Sequence, residues 1–457
     1  MRVVLLAALI LAAPAAAAVP VAEARAILKE AVEIPSVLGR GQNIVLAEKL
    51  RARLIAAGYA PGDVVVEAVA GEAILSARYP GTGGAKPIAV IGHMDVVEAD
   101  PKDWVRDPFK LIEENTASGA YLFGRGVADN KFDVSMIVAT LIDMKRAGVK
   151  PKRDIILYLS GDEETAGKTA AVQAKAAAAA GVEFVLNGDG GGGGLTTDNK
   201  PVAYALQGAE KTYADFEFAF TNPGGHSSAP RPDNAIYRLA AALTRLQAYK
   251  FPPQINALTR ATMADAGLRV GGTTGAALSK YAADPSDAAA AAALTADPNW
   301  VGQIGTTCVA TMLSGGHAPN ALPQRAAAMV NCRIFPGTSV AEVKSTLLGV
   351  IADKDVIATT KVDWPVTSPS PLRSDVTGAV AKAVHSRFPG LAVVPGQTSG
   401  ATDCVFYRAL NMPCYGVSGL FMRGEDEFSH GLNERVPVAA IEPALVHWRI
   451  LLTELSR

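Results

Sequence analysis

The sequence predicts an α/β protein: a catalytic domain with a mostly parallel sheet covered by helices, interrupted by an inserted α+β domain. In the N-terminal half, short apolar runs alternate with helical patterns, which is typical of a parallel sheet covered on both faces. After about Gln207 the pattern changes to alternating, half-exposed strands mixed with helices. The chain of 457 residues is long for one hydrophobic core and favours two or three domains.

Each element of the N-terminal half is predicted from a local pattern. Two helical stretches lie in residues 21–58 and are separated near Pro35, because proline cannot continue a helix. A further helix is predicted at residues 131–147 and ends before Gly148, a residue type common after a helix. Three apolar runs that end in polar or acidic residues are predicted as buried strands: residues 87–93, 154–160 and 183–187.

The second half is predicted to hold the inserted domain and the return to the first domain. Strands are predicted at residues 212–222, 306–313 and 326–334, helices at 234–249 and 340–352, and an irregular Ala-rich insertion at 251–300. A proline-rich linker at 365–371 precedes a strand at 412–417 and a last helix at 441–455. The predicted catalytic domain therefore comprises residues 19–208 and 370–457, and the predicted lid domain comprises residues 209–369.

The first 18 residues have the pattern of a secretory signal peptide. Arg2 is followed by an apolar run and then by small residues, with Ala16 and Ala18 placed as at a signal-peptidase site. The alternative is a membrane anchor, but the apolar run is shorter than the ~20 residues that span a bilayer. The sequence therefore predicts an exported protein, periplasmic or secreted, without a stable membrane span after cleavage.

The charge balance and the cysteines narrow the class of protein. Lys plus Arg number 43 and Asp plus Glu number 44, so no basic excess exists to bind a phosphate backbone and no nucleic-acid partner is expected. None of the four cysteines forms a CxxC pattern, which disfavours a thiolate metal site. Cys308 and Cys332 lie in strand-like stretches and either pair across a sheet or remain buried free thiols.

Acidic residues and one histidine follow the predicted strands or begin a predicted helix. His93 ends one strand, Glu163 and Glu164 follow the next strand, Asp189 follows the third, and Asp129 precedes a helix. Parallel strands would bring these groups to one edge of the sheet, where they would repel each other unless cations neutralised them. Nitrogen and oxygen donors without thiolates suit zinc, with cobalt or manganese as substitutes. The other histidines, His317, His385 and His447, are interpreted as surface or core residues.

Six ordered motifs carry a resemblance to a known family. They are Gly92-His-Met-Asp-Val-Val97, Gly124-Arg-Gly-Val-Ala-Asp-Asn-Lys131, Ser160-Gly-Asp-Glu-Glu164, Asp189-Gly-Gly, Gly224-Gly-His-Ser-Ser-Ala-Pro230 and His430-x-x-Asn-Glu434. This set resembles the di-zinc metallopeptidase family that includes glutamate carboxypeptidase, aminoacylase, peptidase T and succinyl-diaminopimelate desuccinylase. Four further stretches are more similar to the carboxypeptidase S-like and N-acyl-amino-acid hydrolase branch: residues 104–109, 305–307, 319–323 and 331–337.

The resemblance implies two Zn²⁺ ions per subunit, and it implies which residues of this sequence bind them. Asp129 would bridge the two metal ions, and Asp95 would hydrogen-bond the far nitrogen of the imidazole ligand at position 93. The implied metal ligands are His93, Asp129, Glu164, Asp189 and His430. Asp189 stands where acylases more often have Glu, which favours peptide substrates.

The resemblance also implies catalytic and substrate-binding roles. Glu163 would be the general base, and His226 on the lid domain would stabilise the oxyanion. Arg333 would bind a substrate carboxylate, with Asn320 as a second candidate in the same cleft. A homodimer through the lid domain is a further implication.

The function predicted from these observations is an exported zinc-dependent amidohydrolase that cleaves an amide bond next to a free carboxylate. The substrate would be a small peptide, as for a dipeptidase or carboxypeptidase. The alternative is an N-acyl amino acid, cleaved by the same mechanism in an aminoacylase. A non-catalytic metal- or peptide-binding protein of the envelope is a third hypothesis, which the presence of Glu163 disfavours.

Overall fold

The computed structural model describes residues 19–457, apart from the side chain of Asp363. The predicted signal segment, residues 1–18, lies outside the described residues and stays a prediction. Within the described range, no helix is both long enough and apolar enough to cross a membrane.

The chain passes through one large sheet, leaves it for an inserted segment, and returns. The first part contains α1 (Val21–Glu33), α2 (Asn43–Ala56), β1 (Val64–Val69), β2 (Glu72–Tyr79), β3 (Ile88–His93), β4 (Ile112–Thr116), β5 (Gly119–Phe123), α3 (Lys131–Arg146), β6 (Ile155–Ser160), α4 (Lys168–Ala179), β7 (Val185–Asn187), β8 (Gly192–Leu195) and β9 (Pro201–Glu210). The inserted segment contains β10 (Thr212–Thr221), α5 (Ala235–Ala248), α6 (Ala257–Val270), α7 (Gly272–Ala283), α8 (Ala288–Ala296), β11 (Thr307–Gly315), β12 (Arg325–Ile334), α9 (Val340–Ile351) and β13 (Ile357–Asp363). The last part contains α10 (Ser374–Arg387), β14 (Val393–Thr398), α11 (Cys404–Ala409), β15 (Cys414–Gly416), β16 (Phe421–Arg423), β17 (Arg435–Pro437) and α12 (Ile441–Leu455).

The large sheet has ten strands, in the order β1-β2-β6-β3-β7-β15-β9-β8-β16, with β14 paired to β9. Its centre, β6-β3-β7-β15, is parallel. Along β3, Ile88 and Val90 pack into the core formed with α1, α3 and α12, whereas Ala89 and Ile91 pack into the core with α4 and α11. Side chains of a strand alternate between its faces, so both faces are covered by helices. The predicted α/β class with a largely parallel sheet is confirmed.

The carboxyl ends of the central strands meet at one edge of this sheet. β3 ends at His93, β6 ends just before Glu163, and β7 ends just before Asp189. Because β3 pairs in parallel with both neighbours, the segments that follow the three strands emerge side by side. This is the edge at which ligands bind in open α/β sheets.

The inserted segment has a sheet and a core of its own. Four antiparallel strands in the order β11-β12-β10-β13 pack one face against α5 and α9 around a cluster that includes Phe216, Phe218 and Leu347. We propose that this unit is the lid domain, residues 209–369, and that residues 19–208 and 370–457 form the catalytic domain. The strand β13 was not predicted from the sequence.

The Ala-rich insertion at residues 251–300 is helical, so the expectation of irregular structure was wrong. It forms α6, α7 and α8 around a small core that includes Leu278 and Tyr281. Alanine has the highest helix propensity, and the side chains of Asn256 and Asp287 accept backbone N–H bonds at the starts of α6 and α8. Helix α6 also contacts the catalytic sheet, where Thr262 donates to the carbonyl of Pro395 at 3.2 Å.

All four cysteines are paired. Cys308 and Cys332 lie opposite each other on β11 and β12 and form one disulfide, with Cα atoms 4.1 Å apart. Cys404 and Cys414 form a second one, which links the start of α11 to β15. The first pair was one of two alternatives left open by the sequence, and the second was not anticipated.

Candidate metal centre

Two groups of potential ligand atoms lie at the carboxyl edge of the large sheet. The first group contains His93, Asp129 and Asp189, and the second contains Asp129, Glu164 and His430. Within each group one donor atom from every residue lies within 4.8 Å of the others. These are the five residues that the sequence singled out, and they come from five separate segments of the chain.

Asp129 belongs to both groups, and its two carboxylate oxygens face different histidines. Its Oδ1 is 2.9 Å from Nε2 of His93, and its Oδ2 is 3.2 Å from Nε2 of His430. The same nitrogen of His430 is 2.8 Å from Oε2 of Glu164, and Nε2 of His93 is 4.0 Å from Oδ2 of Asp189. One oxygen of Asp129 therefore faces each imidazole, which is the arrangement of a bridging carboxylate.

The turn that presents Asp129 is held by Glu434, a residue to which the sequence reasoning gave no role. The buried carboxylate of Glu434 accepts backbone N–H bonds from Gly126 and Ala128, each at 2.8 Å, and from Asp129 at 3.0 Å. It also pairs with Arg125 at 2.9 Å. The signal was present in the sequence, because Glu434 ends the motif that begins at His430.

Gly126 is required in this turn for steric reasons. Its φ is +75°, and a Cβ atom added there would lie 2.3 Å from Cγ1 of Val96. A left-handed conformation with no room for a side chain restricts the position to glycine. The glycine spacing in residues 124–131 therefore reflects the shape of the turn and the approach of its amides to Glu434.

Asp95 contacts its neighbours differently from the prediction. Nδ1 of His93 is 3.0 Å from the backbone carbonyl of Asp95, while the nearer carboxylate oxygen is 3.6 Å away. The carboxylate instead accepts the backbone N–H groups of Glu163 and Glu164, at 3.2 and 3.0 Å. Asp95 thus fixes the orientation of His93 through its main chain, and its side chain positions the two adjacent glutamates.

The electrostatics of the cluster favour cations. Burial raises the pKa of Glu163 and of Asp189 well above the ordinary carboxyl value, with neighbouring carboxylates adding to the effect. Hydrogen bonds to Asp129 and Glu164 raise the pKa of His430 to about 10. Carboxylates crowded in a buried volume hold protons unless positive charge is supplied. The nitrogen and oxygen donors and the shared carboxylate fit a pair of metal ions.

Asp403 is a further acidic group beside the cluster that the sequence reasoning missed. Its side chain is buried, accepts a hydrogen bond from Oγ of Ser160 at the end of β6, and leaves Oδ1 without a hydrogen-bond partner among the described residues. Burial raises the pKa of Asp403 to about 7, and its charge in turn raises the pKa of Glu163 and Asp189. No motif in the sequence distinguishes this aspartate from others that precede helices.

The lid residues are brought to the cluster unequally. The guanidinium of Arg333 lies 4.6 Å from the ring centre of Tyr213. Burial lowers the pKa of Arg333, and the charges of Tyr213, Asp215 and Glu163 act against this decrease. His226 is exposed, with Nδ1 2.8 Å from Oγ of Ser228, and Asn320 is exposed beside the same loop. Within residues 19–457, no side-chain hydrogen bond or ion pair joins His226 or Asn320 to the cluster.

A cavity of about 450 Å³ adjoins the first group of ligand atoms. Asp129 and Asp189 line this cavity together with Met422 and the glycines of residues 190–194. The glycine run is set by close packing, since a Cβ on Gly193 would lie 2.0 Å from the ring of Phe421. The cavity has the size of a small-molecule site and opens at the candidate metal centre.

Comparison with known proteins identifies the family. Residues 89–454 match the peptidase family M20/M25/M40. The chain is 28% identical over 386 residues to the N-fatty-acyl-amino acid synthase/hydrolase PM20D1 of Xenopus tropicalis, covering 81% of this chain and 72% of that protein. It is 27% identical over 370 residues to the probable carboxypeptidase S-like 2 of Dictyostelium discoideum, covering 77% and 68%.

The fold agrees with this family. The M20 family metallo-carboxypeptidase Sso-CP2 of Sulfolobus solfataricus superimposes with a TM-score of 0.71 at 18% sequence identity, covering 94% of this chain and 98% of that one. The predicted family and its carboxypeptidase S-like branch are confirmed. The chain belongs to the peptidase family M20/M25/M40 and is a metal-dependent amidohydrolase of that family.

Proposed function

We propose that the protein hydrolyses an amide bond next to a free carboxylate in a small peptide, using two zinc ions and Glu163 as the general base. The observation that carries this proposal is the position of Asp129 between two imidazoles. Glu163 is buried next to Glu164 in the chain, and the charges of His93 and Asp189 act on its pKa. Zinc fits the mixed nitrogen and oxygen donors, and cobalt or manganese would substitute.

The proposed metal ligands divide into two sets that share Asp129. His93 and Asp189 complete one set, and Glu164 and His430 complete the other. Bound zinc would polarise the substrate carbonyl and acidify a water molecule. Proton transfer, binding of the substrate carboxylate and stabilisation of the oxyanion are assigned to side chains of the protein.

Glu163 is the proposed proton carrier. Its carboxylate has no hydrogen-bond partner or ion pair among the described residues, and the Glu163 amide is bound by the carboxylate of Asp95. In the reaction it would take a proton from the attacking water and return it to the leaving amine. Its raised pKa suits this task, because a carboxyl group that titrates closer to neutral pH both accepts and releases a proton readily.

Arg333 and His226 have proposed roles on the lid side. Arg333 would bind the substrate carboxylate, since its planar guanidinium can form two parallel hydrogen bonds, and Asn320 remains a second candidate. His226 would stabilise the oxyanion after the lid approaches the cluster or after a second subunit supplies the histidine. Export, and a homodimer through the lid domain, are parts of the same proposal.

Hydrolysis of N-acyl amino acids is the second candidate, and the comparison favours it. The relative from Xenopus tropicalis is named for activity on N-fatty-acyl amino acids. Such substrates also carry a free carboxylate next to the amide bond, so the same residues would serve. The presence of Asp189 instead of Glu is the observation that favours peptides.

The test is hydrolysis of a panel of dipeptides and N-acyl amino acids by the purified protein, before and after chelation. We expect turnover that chelation removes and zinc restores, with the panel separating the two substrate classes. Glu163→Gln should lower kcat by about 10²- to 10⁴-fold while both metal ions remain bound. Glu442→Gln, an exposed glutamate on α12, is the matched control. Full activity in zinc-loaded Glu163→Gln protein would contradict the mechanism.

A further inference from the structure

Lys211 is a buried cation without a counter-charge. It lies between the end of β9 and the start of β10 and is 0% exposed. Its ammonium has one polar contact, Oγ1 of Thr307 at 3.4 Å. No carboxylate among the described side chains lies within 4.0 Å of it. Burial lowers the pKa of Lys211 to about 7, and the charge of Arg333 contributes to the decrease.

Arg333 is a second cation in the same corner. It lies opposite Tyr213 in the pairing of β10 with β12 and opposite Thr307 in the pairing of β11 with β12. Lys211 lies two residues before Tyr213, and its ammonium contacts Thr307, the residue paired with Arg333. The two cationic side chains therefore start from neighbouring positions of the same sheet. Like Lys211, Arg333 has no described carboxylate within 4.0 Å.

Three other buried cations of this protein are paired with carboxylates. Arg125 binds Glu434 at 2.9 Å, Arg408 binds Glu210 at 2.5 Å, and Arg423 binds Asp426 at 2.8 Å. A buried charge is costly unless an opposite charge and hydrogen bonds compensate it. Buried Lys131 has no ion pair among the described residues either, but it donates to the carbonyl of Ile34 at 3.0 Å, and the charges of Glu434 and Asp95 oppose the lowering of its pKa by burial. No described carboxylate acts on Lys211 in this way. The corner of Lys211 and Arg333 therefore holds positive charge that the described side chains do not pair.

This corner lies at the junction between the lid and the catalytic site. Gln303, which follows the helices of the insertion, donates to Oγ of Ser399 on the catalytic side at 3.4 Å, and a Cβ on Gly302 would lie 4.0 Å from the ammonium of Lys211. The charge of Glu163 acts on Arg333 across the junction. An anionic group held here would therefore belong to a ligand bound at the candidate metal centre.

We propose that Lys211 is a specificity-determining residue that, together with Arg333, forms a two-cation subsite for the free carboxylate of the substrate. This proposal rests on the proposed function. Arg333, which is partly exposed, would make the direct contacts, and Lys211 behind it would supply a second positive charge at short range in a poorly solvated corner. Two charges would distinguish an acid from its uncharged amide more strongly than one.

The test compares N-acetyl-leucine with N-acetyl-leucinamide, which differ in the carboxylate alone. Binding of both is measured by calorimetry on zinc-loaded Glu163→Gln protein, so that the comparison does not depend on turnover. We expect Lys211→Met to reduce the ratio of acid to amide affinity by about tenfold or more, as for loss of a charged interaction. Lys250→Met, an exposed lysine of the lid, should change the ratio less than twofold.

The stability of Lys211→Met separates a folding defect from loss of the subsite. Methionine has a similar length and no charge, so Tm should not fall. Thr307→Val, which removes only the hydrogen-bond partner of Lys211, should leave most of the acid preference. An unchanged ratio in folded Lys211→Met protein would overturn the proposal, as would a wild-type protein that binds acid and amide equally. Absence of turnover with the acid preference intact would count against the proposed function alone.

Discussion

At the scale of single residues, His430 and His447 have opposite electrostatic environments, and their pKa values shift in opposite directions. His430 is held by two carboxylates, which raise its pKa to about 10. His447 is 3% exposed and forms no ion pair with the carboxylates that the structure describes, and burial lowers its pKa to about 4. The sequence left open whether His447 is a surface or a core residue, and its contacts place it in the core, with a hydrogen bond to the carbonyl of Val417 at 3.0 Å.

His447 should make the fold sensitive to acid. Its folded pKa lies below the unfolded value of about 6.5, so the unfolded chain binds a proton first as pH falls. The contribution of neutral His447 to the free energy of unfolding is therefore fully present above about pH 6.5 and is lost as the pH falls toward 4. Between pH 7 and pH 4, we expect the free energy of unfolding to fall by about 3 kcal/mol less in His447→Gln than in wild type. Glutamine keeps a hydrogen-bond donor for the carbonyl of Val417.

The measurement is urea unfolding of chelator-treated protein at several pH values. The control is His385→Gln, since His385 is exposed and bonds only the carbonyl of Leu391. Parallel curves for wild type and His447→Gln would show that other groups govern acid unfolding.

At the scale of elements, the metal centre depends on contacts between loops distant in sequence. Glu434 connects the segment that carries His430 to the turn that carries Asp129, through three backbone N–H bonds and Arg125. His430 itself has a φ of +63°, and its carbonyl accepts a bond from Arg125 at 3.3 Å. The loops therefore support each other, and neither is positioned by its own sequence alone.

Replacing Glu434 should weaken metal binding without direct contact to the metal. Glu434→Gln keeps the shape but removes the charge that pairs with Arg125 and replaces one acceptor oxygen by a donor. We expect a 10- to 100-fold lower metal affinity, as for loss of partners that orient ligands. Metal content after dialysis against graded chelator measures it, with Glu442→Gln as control. Equal metal retention in both variants would refute the role of Glu434.

At the scale of the whole molecule, the lid has an unpaired sheet edge. β11 is the outer strand, and its Val309, Met312 and Leu313 are 62, 68 and 70% exposed. Edge strands with apolar side chains tend to pair with another chain. Together with the exposed position of His226, this supports a dimer in which one subunit supplies His226 to the site of the other.

Complementation between inactive variants tests this arrangement. Random exchange of Glu163→Gln with His226→Ala subunits gives half mixed dimers, each with one intact site, hence about a quarter of wild-type activity. A mixture of Glu163→Gln with Glu164→Gln should stay inactive. Each substitution lies in the catalytic domain and disables the site of its own subunit, so a mixed dimer has no intact site. Light scattering that shows a monomer, or no recovery on mixing, would place His226 in its own subunit.

Much of the fold was predictable because its signals are local. Apolar runs such as residues 87–93 and the change of pattern after Gln207 mark strands and domains without knowledge of neighbours. The helices of residues 251–300 were missed because alanine gives little contrast between faces. The strand β13 was missed because its described side chains are all exposed or half-buried, so it has no apolar run. Asp403 and Lys211 have no pattern in the sequence, since their side chains contact residues far away in the chain, Ser160 in the case of Asp403 and Thr307 in the case of Lys211.

The order of the chemistry-bearing residues is visible in the amino-acid sequence, and it was enough to predict the family, the α/β class and the five candidate ligands. Strand periodicity and motif spacing act over a few residues, so they can be read directly. Three properties came from the packing of the chain: Asp129 faces two imidazoles, Asp95 supports His93 through its carbonyl, and Lys211 has no counter-charge among the described side chains. These properties depend on distances between separate segments and on exclusion of water, which arise only when the segments pack together.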